Sequence, residues 1–138
     1  MKTFTLSLKG LFGCMLLLPL TGALFAQTIS VTPSSTSVVS GGSVNFTVAT
    51  DGPGWANNDN RTFTYTVTGP APVIPASPAI FNCTSGCNNE VHNITFTEAG
   101  SYTVTVFVER TQNGSGSATS SSITINVYNP TLWSASNN

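Results

Sequence analysis

Charged side chains are scarce in this sequence, since Asp, Glu, Lys and Arg together make up 7% of its 138 residues. Both lysines lie near the N-terminus, so the rest of the chain has only Arg61 and Arg110 as strong bases. A surface that binds nucleic acid needs a cluster of bases to neutralise phosphates. Two arginines so far apart in the sequence predict no such cluster, and we expect no nucleic-acid partner.

Histidine is rarer still, because His92 is the only one in the chain. Catalysis needs positioned acids, bases or nucleophiles, and the sequence has no Gly-x-Ser-x-Gly elbow, phosphate-binding loop or His-Glu-x-x-His motif. We interpret His92 as a histidine at the rim of the core with a hydrogen-bond partner. Glu90, Glu98 and Glu109 are interpreted as solvated charges. We expect no enzymatic activity, and a hydrolase is the least favoured function.

Long apolar runs are absent except near the N-terminus, where residues 11–18 are largely apolar and follow both lysines. Positive charge, an apolar run and small residues, in that order, are typical of a secretory signal peptide. The run is shorter than the ~20 residues that span a bilayer. We expect removal of residues 1–26 by cleavage after Ala26, which leaves Gln27 first in an exported chain that does not insert into membranes. The alternatives are an uncleaved anchor and a lipid attached at Cys14.

Cysteine is also sparse, and removal of the signal segment leaves only Cys83 and Cys87 of the three in the chain. An exported protein meets an oxidising compartment, in which such a pair forms a disulfide. Free thiols and a metal site are the alternatives. Four zinc ligands cannot be assembled from two cysteines and His92 without recruiting carboxylates. We therefore predict a Cys83–Cys87 disulfide.

What the chain does contain is a series of short segments in which apolar and polar residues alternate. The clearest runs from Arg61 to Thr68, with Phe63, Tyr65 and Val67 predicted inward and threonines outward. The predicted strands are 28–32 with a short continuation at 38–39, then 43–50, 61–68, 79–81, 91–97, 101–110 and 119–128, with a proline-rich crossover at 69–78. The other residues predicted to face the core are Val44, Phe46, Val48, Ile94, Phe96, Tyr102, Val104, Val106, Val108, Ile123, Ile125 and Val127.

This pattern predicts the fold class and the domain boundaries. About seven short strands with frequent turn signals and no helical period indicate an all-β, immunoglobulin-like antiparallel sandwich. We expect one such domain over residues 27–128, after the signal peptide at 1–26. Residues 129–138 are expected to be a tail or the start of a linker.

The loop from 51 to 60 consists of turn-forming residues apart from Trp55 and Ala56. Asp51 and Asp59 are candidate calcium ligands because they carry carboxylate oxygens, although the spacing matches no calcium-loop pattern and such residues also cap turns. Apart from calcium, we expect no cofactor. Trp55 is a candidate ligand contact, since an exposed aromatic ring can stack on a sugar or a partner surface. The alternative is a tryptophan folded over the end of the core.

Residues 98–104 read Glu-Ala-Gly-Ser-Tyr-Thr-Val, so Gly100 and Tyr102 stand just before an alternating strand. This resembles the tyrosine corner of immunoglobulin-like sandwiches, in which the phenol bonds back to nearby backbone. Residues 100–106 also resemble the same strand of polycystic-kidney-disease-type (PKD) repeats and of bacterial immunoglobulin-like repeats. Residues 29–47 are similar to the opening strands of those bacterial repeats. The third strand lacks the PKD run Trp-Asp-Phe-Gly-Asp, and the antibody-type intersheet disulfide is absent. The resemblance therefore indicates the sandwich without a subfamily.

The resemblance implies a non-catalytic module of a secreted, extracellular or cell-surface protein from a bacterium. Such a module serves as a structural spacer or as a domain for adhesion or protein interaction. Its expected partner is a protein or a glycan at the cell surface. The alternative function is a carbohydrate-binding accessory module that uses the loop of Trp55. We expect either a short secreted protein or one module of a larger surface protein.

Overall fold

The computed structural model describes residues 27–50, 54–56, 59–112 and 116–130. Within these ranges the chain forms ten β-strands and no α-helix. No helix in the part described is long and apolar enough to cross a membrane. The predicted signal peptide at 1–26 and residues 131–138 of the predicted tail lie outside the described residues.

The strands form two sheets. Their bounds are β1 Ser30–Pro33, β2 Ser37–Val39, β3 Ser43–Ala49, β4 Arg61–Thr68, β5 Val73–Ile74, β6 Ala79–Cys83, β7 Asn89–Phe96, β8 Gly100–Arg110, β9 Ser117–Thr119 and β10 Ile123–Tyr128. The smaller sheet has the order β1-β3-β7-β5, and the larger has the order β2-β10-β8-β4-β6 with β9 also paired to β8. The predicted all-β sandwich is therefore confirmed.

The core lies between the two sheets and is built from the inward residues of their alternating strands. Phe46 of β3 meets Tyr65 of β4 with ring centroids 5.8 Å apart, and Phe96 of β7 meets Tyr102 of β8 at 5.0 Å. Nearly all of the predicted core residues are buried. The exceptions are Val67 and Ile123, which are partly buried and pack against the same core.

β2 lies in a different sheet from β1, although the sequence suggested that Val38 and Val39 continue the first strand. Pro33 pairs opposite Phe46 as the last residue of β1. A proline has no N–H with which to extend the ladder, so the strand ends there. The chain then crosses to the larger sheet, where β2 pairs in parallel with β10 and Val38 packs against the core.

The last predicted strand, 119–128, is divided into β9 and β10 at Ser120. There the Ser120 amide donates to the Val106 carbonyl over 2.8 Å, and the Val106 amide donates to the Ser120 hydroxyl over 3.0 Å. A serine side chain that competes for backbone partners in this way interrupts a regular ladder. β9 and β10 therefore both pair with β8, one after the other.

The start of β1 and the finish of β10 lie at opposite ends of the long axis of the sandwich. β1 begins where Ser30 pairs with Ala49, next to the start of β4, and we call this the Arg61 end. β10 finishes beside the start of β8, where Val127 pairs with Gly100, and we call this the Gly100 end. β8 spans 11 residues between these ends, which corresponds to about 35 Å of extended strand.

Candidate functional site

The Arg61 end holds the main cluster of charged side chains in the described chain. β4 begins at Arg61 and β8 ends at Arg110, and these two residues are register partners across the larger sheet. The two arginines are therefore neighbours in space, contrary to the expectation from their separation in sequence. Both turn inward, with Arg61 1% exposed and the Arg110 side chain 15% exposed.

Arg61 is held almost entirely by backbone and neutral groups. Its Nη1 donates to the Cys87 carbonyl over 2.7 Å, to Asn88 Oδ1 over 3.2 Å and to the Thr50 hydroxyl. Its Nη2 donates to the Ala56 carbonyl over 2.7 Å. Because these acceptors come from two separate connections, β3–β4 and β6–β7, the guanidinium ties together the loops that close this end of the sandwich.

The opposite charge that acts most strongly on Arg61 belongs to Asp59, which is 2% exposed. Its Oδ2 lies 2.7 Å from Arg110 Nε and accepts the Ala56 amide over 2.9 Å, and its Oδ1 accepts Arg110 Nη2 over 3.0 Å. Burial lowers the pKa of Arg61, and the Asp59 carboxylate opposes that shift. The buried Asp59 carboxylate thus pairs directly with Arg110 and also favours the charged form of Arg61.

The position of Asp59 bears on the calcium hypothesis. Both of its carboxylate oxygens face protein donors, as described above. Asp51, the other candidate ligand, lies outside the described residues. Across the ranges that are described, three or more His, Cys, Asp or Glu side chains nowhere come together as a potential metal site.

Trp55 is folded over this end of the core, with 8% of its surface exposed. Its Nε1 donates to the Thr28 carbonyl over 2.9 Å, and the Arg61 guanidinium lies 4.9 Å from its ring centroid. An indole that is buried and stacked on an arginine offers a sugar ring little surface. In this position Trp55 fastens the segment just before β1 to the loop before β4.

The predicted disulfide between Cys83 and Cys87 is confirmed, with an S–S distance of 2.04 Å. Cys83 ends β6, while Cys87 is fully buried and presents its carbonyl to Arg61. The Thr50 hydroxyl donates to the same carbonyl over 2.8 Å. The disulfide therefore connects the edge of the larger sheet to the groups around Arg61.

Replacing both cysteines by alanine is expected to lower the free energy of unfolding by about 2 kcal/mol. The crosslink closes a short loop, with a sequence separation of 4, and the chain-entropy relation for so short a loop gives about this value. Urea denaturation of the oxidised chain and of the double variant measures the difference. Reduced wild type is the matched control and should unfold close to the double variant; equal midpoints for all three would contradict a stabilising crosslink.

His92 lies among aromatic rings at the rim of the core, 8% exposed. Its Nδ1 is 2.9 Å from the Tyr65 hydroxyl, and its ring stacks on Phe81 with centroids 4.3 Å apart. Burial lowers the pKa of His92 to about 4 and raises the pKa of Tyr65. The imidazole is therefore neutral at physiological pH and acts as a packed, hydrogen-bonded core residue.

Tyr102 and Gly100 form a tight corner at the Gly100 end. The fully buried Tyr102 donates its hydroxyl proton to the Glu98 carbonyl over 3.1 Å, which is the contact that a tyrosine corner makes. Gly100 has a φ of 145°, and a Cβ there would lie 2.5 Å from Cγ of Pro70. Glycine is needed here both for its backbone conformation and for this close approach.

The remaining carboxylates are dispersed over the surface. Glu98 and Glu109 are exposed, and Glu90 is half-buried.

Comparison of the chain with protein-family models finds no match, and no curated protein matches it. Function is therefore inferred from the contacts described above.

Proposed function

We propose that this chain is a secreted or cell-surface module that carries out no chemistry and serves as a structural spacer. It keeps whatever adjoins its two ends apart by the length of one immunoglobulin-like sandwich. The observation that carries the proposal is the parallel pairing of β2 with β10. The domain begins at the Arg61 end and finishes at the Gly100 end, and this pairing joins its first and last parts. The charged cluster at the Arg61 end supports the proposal, because its side chains bind the backbone of the connecting loops and one another.

The strand order supports the immunoglobulin-like part of the proposal. β1, β3, β7 and β5 correspond to the A, B, E and D strands of one immunoglobulin sheet, while β4, β8 and β10 correspond to C, F and G of the other. β6 adds beside β4 as a further edge strand. One departure is that β5 precedes β6 along the chain, so the connection from β4 visits the smaller sheet before it returns.

Export of the chain belongs to the same proposal. The Cys83–Cys87 disulfide is consistent with an oxidising compartment. Three ionisable side chains, Asp59, Arg61 and His92, are buried and engaged by protein partners. A module with this interior supplies shape and stability to an exported protein.

The geometry of β2 and β10 suits a spacer that is placed under tension. Both strands run toward the Gly100 end, and the pairing is bordered by hydrogen bonds from the Asn126 amide to the Thr36 carbonyl, 2.9 Å, and from the Ser40 amide to the Tyr128 carbonyl, 2.8 Å. A pull on the two chain ends drags β2 and β10 in opposite directions along their length. All of these bonds are then loaded together in shear.

Single-molecule force spectroscopy tests the spacer directly. With handles at residue 27 and after residue 130, we expect unfolding in one event at high force. With handles at Ala99→Cys and after residue 130, both attachments lie at the Gly100 end, because Ala99 is exposed just before β8. The antiparallel β8–β10 pair is then opened one bond at a time, and we expect unfolding at a force several times lower.

The two pulling directions act on chains that differ only at residue 99. When their thermodynamic stabilities are equal, the unfolding forces differ only through the direction in which the strands are loaded. Urea denaturation of the Ala99→Cys chain checks that its stability equals that of the wild type. Equal unfolding forces in both directions would contradict the claim that the β2–β10 pairing resists a pull on the two ends of the domain. Specific retention of the exported chain on a polysaccharide would favour the carbohydrate-binding function instead.

A further inference from the structure

The side chain of Gln27 lies at the Arg61 end between the backbones of Gly54 and Gly116, a space that we call the Gln27 slot. Its Nε2 donates a hydrogen bond to the Gly54 carbonyl over 2.6 Å. A Cβ on Gly116 would overlap the Gln27 amide, and a Cβ on Gly54 would lie 2.9 Å from Gln27 Cγ. The two glycines therefore leave the space that the glutamine side chain fills.

The Gln27 slot is joined to the buried cluster beneath it. The Gly54 carbonyl also accepts Arg110 Nη1 over 2.9 Å, and Arg110 is paired with the buried Asp59. The next residue along the chain, Thr28, has its carbonyl bound by Trp55 Nε1 over 2.9 Å. The position of Gln27 is thus fixed through two of its neighbours as well as through its own amide.

We propose that the Gln27 slot makes the N-terminus of the exported chain a fold-controlled modification site, at which cyclisation of Gln27 to pyroglutamate is slowed once the domain has folded. This rests on the proposed export, because it requires cleavage after Ala26. In the reaction the α-amino nitrogen attacks the side-chain Cδ and a C–N bond closes the lactam. The Cδ–Nε2 bond breaks, and Nε2 leaves as ammonia with the proton that the amine gives up. No oxidant or reductant takes part.

The folded domain opposes this reaction because the nitrogen that must leave is the one that donates to Gly54. The side chain has to vacate the slot before it turns back on its own α-nitrogen. The lactam has no Nε2, so a chain that cyclises first cannot form this bond when it folds. A chain that folds first therefore keeps its Gln27 side chain for longer than a chain that stays unfolded.

Mass spectrometry of the exported chain measures the reaction as the loss of one ammonia from the N-terminal peptide. The folded chain at neutral pH should cyclise at least about fivefold more slowly than the same chain in urea, since one net hydrogen bond is worth about 1 kcal/mol. Gly116→Ala should bring the folded rate close to the denatured rate, because its Cβ takes the space of the amide. Ser117→Ala, on the exposed neighbour, is the matched control and should cyclise like wild type.

Equal rates for folded and denatured wild type would overturn the proposal, and this comparison stands even where Gly116→Ala does not fold. A Gly116→Ala chain that melts like a folded protein yet cyclises as slowly as wild type would overturn it as well. Peptide mapping first establishes which residue begins the exported chain. A first residue other than Gln27 would contradict the proposed cleavage alone, and the slot is then tested on a chain trimmed to Gln27 by a site-specific protease.

Discussion

Replacing Arg61 by methionine is expected to lower the free energy of unfolding by about 3 kcal/mol. The substitution keeps an unbranched side chain about as long as the stem of the arginine and removes the guanidinium donors. The carbonyls of Cys87 and Ala56, which accept from Arg61 over 2.7 Å each, then lose a charged donor at the end of the core. A buried acceptor without its partner costs about 1–3 kcal/mol. Urea denaturation followed by tryptophan fluorescence and by circular dichroism measures the loss.

Two further variants separate the guanidinium from the general effect of substitution at this end. Arg61→Lys keeps the charge but cannot reach the acceptors on both sides of the fork, so its stability should fall between those of wild type and Arg61→Met. Thr62→Ala changes the next residue, whose hydroxyl donates to Asn82 on the exposed face, and should cost less than about 0.5 kcal/mol. A loss below about 1 kcal/mol for Arg61→Met would mean that the guanidinium does not hold the loops together.

Acidification is expected to destabilise the domain through His92. Burial lowers the pKa of His92 from its ordinary value of 6.5 to about 4, so the unfolded chain binds a proton at a higher pH than the folded chain does. The stability associated with the neutral imidazole is complete above pH 6.5, falls as the pH drops toward 4, and changes no further below that. The total loss over this window is at most about 3 kcal/mol. Urea midpoints measured at intervals between pH 7 and pH 4 give the profile.

His92→Gln is the matched control for this profile, because a glutamine can still bond to the Tyr65 hydroxyl but does not titrate. The variant loses the stacking on Phe81 and should be less stable at neutral pH. Its stability should nevertheless vary much less with pH over the same window. Parallel profiles for wild type and His92→Gln would show that other groups cause the acid sensitivity.

The sequence predicts the sandwich well because strand alternation is a local property. In β4, Arg61 is separated by an even number of residues from the inward-facing Phe63 and Tyr65. In β8, Arg110 is likewise two residues from the inward-facing Val108. Because side chains alternate along a strand, both arginines face the core. The burial of both arginines could therefore have been predicted from the alternation of the strands. Their partners were not, since the acceptors of Arg61 lie in connections that only the completed fold brings together.

The course of the chain at the sheet edges is harder to predict than the strands themselves. Val38 has the composition of a strand residue, but nothing near it specifies whether it pairs with the smaller or the larger sheet. That choice depends on β10, which lies almost ninety residues further along the chain. Trp55 poses a similar problem, because both interpretations left open by the sequence suit a tryptophan in a polar loop. Its contact with Thr28 places it over the core.

The central claim is that this module holds its two ends apart, and pulsed electron paramagnetic resonance measures that separation directly. Nitroxide labels at Thr28→Cys and Asn129→Cys occupy exposed positions at the Arg61 end and the Gly100 end. A control pair at Thr28→Cys and Thr111→Cys places both labels at the Arg61 end. We predict a single narrow distance distribution near 35 Å for the first pair and a clearly shorter distance for the control pair. A broad distribution, or a distance for the first pair no longer than that of the control, would contradict a rigid spacer.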